Sequence, residues 1–202
     1  MDNSISKEAI EELPLGQFSG VITVIEQASD VSGIVEQLQK ESCLGFDTET
    51  KPSFKKGESN KIALLQISTE QEAFIFRLNK TGMHPAIVQL LENKSILKIG
   101  VGIRDDLRGL NKLVRFKPRG FVELQDMVKA FDIDVFSLKG LAALVLNVRV
   151  SKRQRLSNWE AAELTPAQID YAATDAWIAL RIFNELMLLE PAHQVKSLQY
   201  KN

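Results

Sequence analysis

Cysteine and histidine are nearly absent from this chain, and their scarcity narrows the chemistry that it can perform. Cys43 is the one cysteine among 202 residues, so no intramolecular disulfide can form. The sequence contains no G-x-S-x-G pattern, and Cys43 has no evident histidine partner, which argues against a nucleophilic hydrolase. We predict that Cys43 is a small core side chain, and we assign no chemistry to His84 or His193.

The chain also lacks a strong net charge and a long hydrophobic run. Its formal net charge is -1 at pH 7, so any binding to nucleic acid must depend on local basic patches rather than on a global field. No apolar run is long enough to cross a bilayer, and the opening MDNSISKEAIEELP does not have the basic-then-apolar pattern of a secretory signal. We therefore expect a cytoplasmic protein that does not bind membranes.

The composition that remains is that of a globular domain. Hydrophobic residues make up 45% of the sequence and charged residues 25%, which is enough apolar material for a real core. The length favours one domain with short extensions. We divide the chain into an N-terminal extension (1–20), a domain (21–190) and a polar C-terminal tail (191–202).

The predicted elements change along the chain from strands to alternating strands and helices. The strands 62–68 and 72–78 are separated by a tight polar turn, which predicts an antiparallel pair. The predicted set is strands at 21–25, 43–49, 62–68, 72–78 and 96–103, helices at 31–40 (capped by Asp30), 84–93, 104–114 and 137–147, and a short strand running into a helix at 121–128. This order predicts an α/β fold with a mixed sheet, its first strands antiparallel, flanked by helices.

A last long helix is marked at both ends. Thr165 and Gln168 form a capping-box pattern, and Pro166 occupies the first helical position. Pro191 is expected to end the helix. Its middle contains Asp175 among alanines and large apolar residues, where an unpaired carboxylate would be costly to bury.

Acidic residues occur at two further places where a core pattern would not predict them. The segment LGFDTET (44–50) begins as a buried strand, and its Asp47 and Glu49 are two apart, so they point to the same face. Asp105 and Asp106 begin the helix that follows strand 96–103. An isolated acid at a strand end is usually solvated, and one in a first helical turn usually complements the helix dipole.

Brought together at one edge of the sheet, these acids predict a cation site. Clustered carboxylates repel one another unless a cation holds them, and hard oxygen ligands without histidine or cysteine select Mg²⁺ or Mn²⁺. Metal pairs held by carboxylates are a standard device for in-line displacement at a phosphodiester. Tyr171 lies one helical turn before Asp175 on the same face, so it should point to the same site.

Three motifs in this order resemble the DEDD 3′–5′ exonucleases of the tyrosine subclass. They are FDTET, then GVGIRDDLRGL, then SNWEAAELTPAQIDYAATDAWIALRIF. That family includes ribonuclease D and the exonuclease domain of the Werner-syndrome helicase. The resemblance to the Werner-type branch is close, and KIALLQIS, LLENKSILKIGVGI, FVEL and SLKGLAALVL contribute to it. The similarity covers roughly residues 20 to 190 and implies a ribonuclease-H-like fold.

The resemblance implies two divalent cations, Mg²⁺ or Mn²⁺, and a role for each matched residue. Asp47 matches the aspartate that bridges both metals, and Glu49 matches the acid that binds the first metal and orients the attacking water. Asp106 matches the aspartate that reaches the second metal through water, and Asp175 matches the third-motif aspartate on the first metal. Tyr171 matches the tyrosine that hydrogen-bonds the water or the scissile phosphate. The implied products are nucleoside 5′-monophosphates, released one at a time from a DNA or RNA 3′ end.

Other positions are candidates for substrate contact, although ordinary solvated charge explains them as well. Thr48, Glu49 and Thr50 resemble the segment that binds the terminal nucleotide. The basic candidates for phosphate contact are Lys51, Lys55, Lys56 and Lys61 in one loop and Arg149, Lys152, Arg153 and Arg155 before SNW. Asp105 matches no ligand of the family, and we expect it to complement the start of its helix. Trp159 is expected to pack in the core rather than to stack on a base.

Two alternatives remain open. The strand-Gly-x-Gly-helix pattern at Gly100 and Gly102, with Glu123 about 20 residues on, is typical of dinucleotide binding, but the third glycine is missing. A catalytically silent nucleic-acid-binding module on the same fold is the other alternative, although all four acids and the tyrosine are present. Since only a short polar stretch follows Pro191, we expect modest substrate affinity, or affinity supplied by oligomerisation or a protein partner.

Overall fold

The structure, a computed structural model, describes residues 5–53, 55, 57 and 60–189. Its strands are β1 (Val21–Ile25), β2 (Cys43–Thr50), β3 (Ile62–Ser68), β4 (Glu72–Arg77), β5 (Leu97–Gly100) and β6 (Phe121–Glu123). Its helices are α1 (Lys7–Glu11), α2 (Ala28–Leu38), α3 (Leu78–Thr81), α4 (Pro85–Glu92), α5 (Ile103–Leu113), α6 (Leu124–Met127), α7 (Leu138–Leu146) and α8 (Pro166–Leu189), with a 3₁₀ turn at Val128–Phe131. Over the residues described, no helix has the length and apolar character needed to span a membrane.

The strands form one mixed sheet in the order β1-β4-β3-β2-β5-β6. β3 runs antiparallel to both of its neighbours, β2 and β4, which confirms the predicted antiparallel pair. The other pairs are parallel, including β1 with β4, so the first strand is not part of the antiparallel group. The reason is the path of the chain: it crosses through α2 from β1 to β2, and two reversals through β3 then bring β4 alongside β1 in the same direction.

Helices cover the two faces of the sheet and receive alternate residues of β2. Leu44 and Phe46 are buried in a core shared with α2, α4 and α5. The opposite face packs against α7 and α8. Because side chains alternate along a strand, Asp47 and Glu49 belong to the α8 face, whereas Thr48 and Thr50 belong to the α5 face.

α8 begins as predicted and approaches β2 very closely. The Thr165 backbone N–H donates to the Gln168 side-chain oxygen (2.9 Å), and the Gln168 N–H donates to the Thr165 hydroxyl (3.3 Å), which completes the capping box. A Cβ on Gly45 would lie 2.1 Å from the Ala176 carbonyl oxygen. A glycine in β2 therefore lets the helix settle against the strand and brings α8 side chains to the acidic end of β2.

The N-terminal residues that the structure describes are packed on the domain. Ile10 and Phe18 are buried. The Gly16 N–H donates to the Arg149 carbonyl (2.8 Å), and the Arg149 N–H donates to the Pro14 carbonyl (2.9 Å), so this segment is tied to the chain that precedes α8. Pro191, His193 and the rest of the predicted tail lie outside the described residues.

Two predicted boundaries are wrong for local reasons. α2 begins at Ala28 with Gln27 at its N-cap, so Asp30 lies in the first turn, where its carboxylate accepts from the Ser29 hydroxyl (3.0 Å). β5 ends at Gly100, short of the predicted residue 103. Gly102 adopts a left-handed conformation (φ 76°), which turns the chain into α5 at Ile103.

Candidate active site

Three carboxylates converge where α8 crosses the end of β2. Asp47, Glu49 and Asp175 each place a carboxylate oxygen within 4.8 Å of the other two. Asp175 is only 8% exposed, and its partners on β2 are half-buried. The sequence prediction that acids from the first and third motifs meet at one sheet edge is therefore confirmed in geometry, while the role of each residue stays a prediction.

Asp106 reaches the same region from α5. The Thr48 hydroxyl of β2 donates a hydrogen bond to the Asp106 carboxylate, which holds it at the end of the strand. Asp106 is not part of the tight trio, yet its negative charge raises the pKa of both Asp47 and Glu49. Asp105, its neighbour, points away from the site with a side chain that is 80% exposed.

Glu123 positions the start of α5, and we did not identify this role from the sequence. One oxygen of its carboxylate accepts from the Gly102 N–H (2.9 Å), and the other accepts from the Ile103 N–H (2.8 Å). An acid some twenty residues after a strand-glycine turn was the available signal. Because Glu123 fills the position where a pyrophosphate would meet the helix, the dinucleotide-binding alternative is wrong.

Burial raises the pKa of all four acids, and the charges of neighbouring acids raise those of Asp47 and Glu49 further. Burial, reinforced by Asp175 and Asp106, raises the pKa of Glu49 to about 9. Burial also raises the pKa of Asp175 to about 7 and that of Asp106 to about 6. The pKa of Asp47 lies well above its ordinary value, first through burial and then through the charges of the other three acids.

Tyr171 lies beside this cluster and keeps its proton. Burial, and then the neighbouring carboxylates Asp175 and Glu49, raise the pKa of its hydroxyl above the ordinary tyrosine value. Its ring packs against Trp159 (centroids 5.9 Å apart), and Trp159 is fully buried, as predicted for a core residue rather than a base-stacking one. A neutral phenol of this kind can donate to a water or to a phosphate oxygen.

The predicted substrate residues lie around the site with different partners. Lys51 is paired with Glu160 (3.6 Å), and Arg153 lines a small cavity of about 170 Å³ beside Tyr171 and Asp175. Arg155 is exposed. Thr48 and Thr50 line a larger groove on the α5 face. Their contacts to a substrate remain predictions, as does that of Lys56, which lies outside the described residues.

Apolar residues complete the carboxylate cavity, and no motif pointed to them. The cavity of about 250 Å³ is lined by Val101 and Leu138 together with the acids of β2 and α8. Gln66 lies directly opposite Asp47 in the β2–β3 register and is buried. Its amide nitrogen and oxygen have no hydrogen-bond partner in the part of the chain that the structure describes.

The donor set fits divalent cations. Three carboxylate oxygens at mutual ligand distance, with a fourth carboxylate held nearby by Thr48, provide only hard oxygen donors. The raised pKa values show that the charged form of this cluster is disfavoured without a counter-charge. Mg²⁺ or Mn²⁺ would supply that charge, and the oxygen-only donor set does not favour zinc or copper.

The mixed sheet, with the acids at the end of its central strand and on the helix across it, defines a ribonuclease-H-like exonuclease domain. Residues 22–189 match the sequence model of the 3′–5′ exonuclease family. The chain therefore belongs to the 3′–5′ exonuclease family, whose members are phosphodiester hydrolases.

Two relatives illustrate the match. The bifunctional 3′–5′ exonuclease/ATP-dependent helicase WRN of mouse, Mus musculus, is 36% identical over 205 residues, which cover 96% of this chain and 15% of that protein. The putative 3′–5′ exonuclease R431 of Acanthamoeba polyphaga mimivirus is 32% identical over 178 residues, which cover 79% of this chain and 43% of that protein. The chain thus spans less than half the length of either relative.

Solved structures share the fold at low sequence identity. The exonuclease domain of Aedes aegypti Nibbler superimposes with a TM-score of 0.74 at 21% identity, covering 83% of this chain and 87% of that one. Escherichia coli RNase D gives a TM-score of 0.73 at 20% identity, covering 83% of this chain and 44% of that one. RNase D of Trypanosoma brucei in complex with RNA U12 gives a TM-score of 0.73 at 19% identity, covering 84% of this chain and 63% of that one.

Proposed function

We propose that this chain is a metal-dependent 3′–5′ exonuclease that shortens nucleic acids from the 3′ end and releases nucleoside 5′-monophosphates. The convergence of Asp47, Glu49 and Asp175 within 4.8 Å carries this proposal. A hydrophobic core does not gather three carboxylates unless a function requires them, because burying charge is costly. The RNA bound to a relative of the same fold supports nucleic acid as the substrate class.

Asp47, Glu49, Asp106 and Asp175 would hold two divalent cations in this proposal. The cations would lower the pKa of the attacking water and neutralise the charge that develops on the reacting phosphate. Thr48 fixes the orientation of Asp106 through its hydroxyl, and Gly45 fixes the approach of α8 and hence of Asp175. The chain therefore presents its ligands on two rigid elements and a helix start.

The protein must also align the attacking water with the nucleic-acid strand. Glu49 can accept a hydrogen bond from the attacking water, while the protonated Tyr171 hydroxyl can donate to it or to the phosphate. The water gives up one proton to solvent as its oxygen bonds to phosphorus, and the bond from phosphorus to the 3′ oxygen of the preceding nucleotide breaks. That oxygen takes up a proton from solvent and becomes the new 3′ hydroxyl end.

Replacement of Tyr171 by phenylalanine should lower kcat by about 10- to 100-fold and change KM little. The ring and its packing against Trp159 are retained, so only the donated hydrogen bond is lost. Steady-state kinetics on a 5′-labelled oligonucleotide, with the thermal midpoint as a check of folding, measure this effect. An unchanged kcat in a folded variant would remove Tyr171 from the proposed mechanism.

The function is tested directly with labelled oligonucleotides. DNA and RNA strands, single or with a recessed 3′ end, carry a label at the 5′ end and are incubated with Mg²⁺, Mn²⁺ or EDTA. A metal-dependent ladder that shortens from the 3′ end supports the proposal and shows the preferred substrate. Binding without any shortening, under every metal, would contradict it and favour the silent binding module.

A further inference from the structure

A groove on the α5 face of β2 lies next to the carboxylate cavity. It has a volume of about 680 Å³ and runs between the end of β2, the start of β3 and the exposed side of α5. One wall is formed by Thr48, Thr50, Asn60 and Lys61, and the other by Asp105, Asp106, Arg108 and Lys112. This groove is much larger than the cavity of about 170 Å³ beside Tyr171.

Both walls of the groove are built on fixed elements. The Asn60 side chain donates to the Lys51 carbonyl (2.8 Å) and the Pro52 carbonyl (3.3 Å), which closes the base of the β2–β3 loop just before Lys61. On the other wall, Arg108 and Lys112 are four residues apart on α5. They therefore share one face of the helix, ~6 Å apart along its axis.

Among the lining residues that the structure describes, the groove carries more positive than negative charge, with Lys61, Arg108 and Lys112 against Asp105 and Asp106. Lys61 and Lys112 are exposed, and neither has an ion-pair partner among the residues that the structure describes. Arg108 is different, because it pairs with Asp105, and both side chains are largely exposed (75% and 80%). An exposed pair of this kind is weak and can exchange partners when a stronger anion arrives.

The groove also opens to the carboxylate cluster. Thr48 lines both the groove and the carboxylate cavity, and its hydroxyl donates to the carboxylate of Asp106, which lines the groove. A strand whose 3′ end lies at the cluster must leave on one side of β2. The smaller cavity on the other side is lined by Arg153 together with Asp170 and Asp175, so its lining carries more negative than positive charge. The groove offers a polyanion both space and positive charge.

We propose that this groove holds the phosphates of the strand that precedes the scissile bond, with Lys61 and Lys112 as direct contacts. Asp105 acts as a counter-ion that occupies Arg108 until a substrate phosphate displaces it. The proposal rests on the exonuclease function for the position of the 3′ end. The ligand class is a single-stranded polynucleotide, recognised through its phosphates and not through its bases.

Binding is measured first, so that cleavage is not required. The full chain, carrying Asp47→Asn, is titrated with 5′-fluorescein-labelled twelve-nucleotide oligothymidylate or oligouridylate at several salt concentrations. Lys61→Ala and Lys112→Ala should each lower the slope of log affinity against log salt by ~0.7, the value for one phosphate contact on a single strand. Lys40→Ala is the matched control, since this exposed lysine follows α2 and lies before the start of β2, whereas the groove lies at the end of β2, and it should leave the slope unchanged.

Kinetics then separate a contact along the strand from a structural effect. In the otherwise unchanged chain, Lys61→Ala and Lys112→Ala should raise KM about threefold to tenfold and leave kcat unchanged, and Lys112→Arg should restore KM. The increase should disappear with a dinucleotide substrate, which has no phosphate before the scissile one. Asp105→Asn should act in the opposite direction and lower KM, because it frees Arg108.

The binding outcomes decide the proposal independently of the enzyme's activity. If both lysine variants keep the wild-type salt slope, the groove does not hold the strand. If Asp105→Asn weakens binding, the counter-ion role is wrong. A protein that binds with the expected slopes but shortens no oligonucleotide would contradict the proposed function and leave the groove assignment supported.

Discussion

Replacement of Asp47 by asparagine should lower the rate of 3′-end hydrolysis at least about 10³-fold. Asp47 is the acid on which the charges of Asp106, Asp175 and Glu49 all act, so it lies at the centre of the cluster. Asparagine keeps the size of the side chain and its place in β2 but removes one anionic ligand. Single-turnover cleavage of a 5′-labelled oligonucleotide in Mg²⁺ or Mn²⁺ measures the loss.

Asp105 and Asp106 provide a matched pair of controls within one turn of α5. Asp106→Asn should also lower the cleavage rate strongly, because Asp106 is held against β2 by Thr48 and is coupled to Asp47. Asp105→Asn makes the same chemical change one residue earlier, on a side chain that points into solvent, and should leave kcat unchanged. Equal losses in both variants would mean that a general change of charge or stability, and not metal binding, causes the effect.

The sequence was sufficient to predict the elements that carry strong local signals. Thr165, Pro166 and Gln168 marked the start of α8, and the capping box forms as expected. The spacing of Asp47 and Glu49 placed both on one face of β2, and they meet Asp175 there. The spacing of side chains along an element and the capping residues at its end lie within a few residues of one another. Helix starts and strand faces can therefore be predicted without knowledge of the rest of the fold.

Features that depend on distant contacts could not be predicted in this way. Glu123 fixes the start of α5 from another strand; its spacing after the glycine turn was a signal, but that spacing does not show that its carboxylate accepts from Gly102 and Ile103. Leu138 lines the cavity only because α7 packs beside the sheet, and Val101 lines it because β5 pairs with β2. The parallel pairing of β1 with β4 follows from the path of the whole chain, and local turn signals do not determine it.

The close packing of the acids also predicts that the metal-free protein loses stability as the pH rises. The pKa of Glu49 is raised from 4.5 to about 9, and that of Asp175 from 3.8 to about 7. Between the unfolded and folded pKa values, the folded protein holds more protons than the unfolded chain. The free energy of unfolding therefore falls with rising pH in this window.

The range from pH 5 to pH 7 is the best place to test this linkage. Burial lowers the pKa of Lys98 from 10.5 to about 7, so above pH 7 the unfolded chain holds the extra proton of this lysine. The contribution of Lys98 to stability therefore rises with pH there and opposes that of the acids. Below pH 7 Lys98 is charged in both states, and the acids determine the trend.

In EDTA, the thermal midpoint should fall by at least about 4 °C between pH 5 and pH 7, whereas saturating Mg²⁺ or Mn²⁺ should remove most of this fall. The cation binds the deprotonated carboxylates of the folded state, so its stabilising effect grows as the pH rises. Thermal unfolding followed by circular dichroism, at fixed ionic strength with NaCl as the non-binding control, measures both slopes. Ca²⁺ can be added as a cation of the same charge to separate specific from general screening.

The variant Asp47→Asn distinguishes this explanation from a general effect of pH. With one acid neutral at every pH, the repulsion within the cluster is weaker, so the metal-free variant should be more stable than the wild type at pH 7 and should show a flatter pH dependence. It should also gain less stability from Mg²⁺ or Mn²⁺. Equal slopes in the wild type and the variant would show that the titrating groups lie elsewhere and that the cluster is not under electrostatic strain. A thermal midpoint that falls more steeply with pH in the metal-free wild type than in the variant would support this explanation. If the cation abolishes that fall, the ion that the proposed chemistry requires stabilises these buried acids.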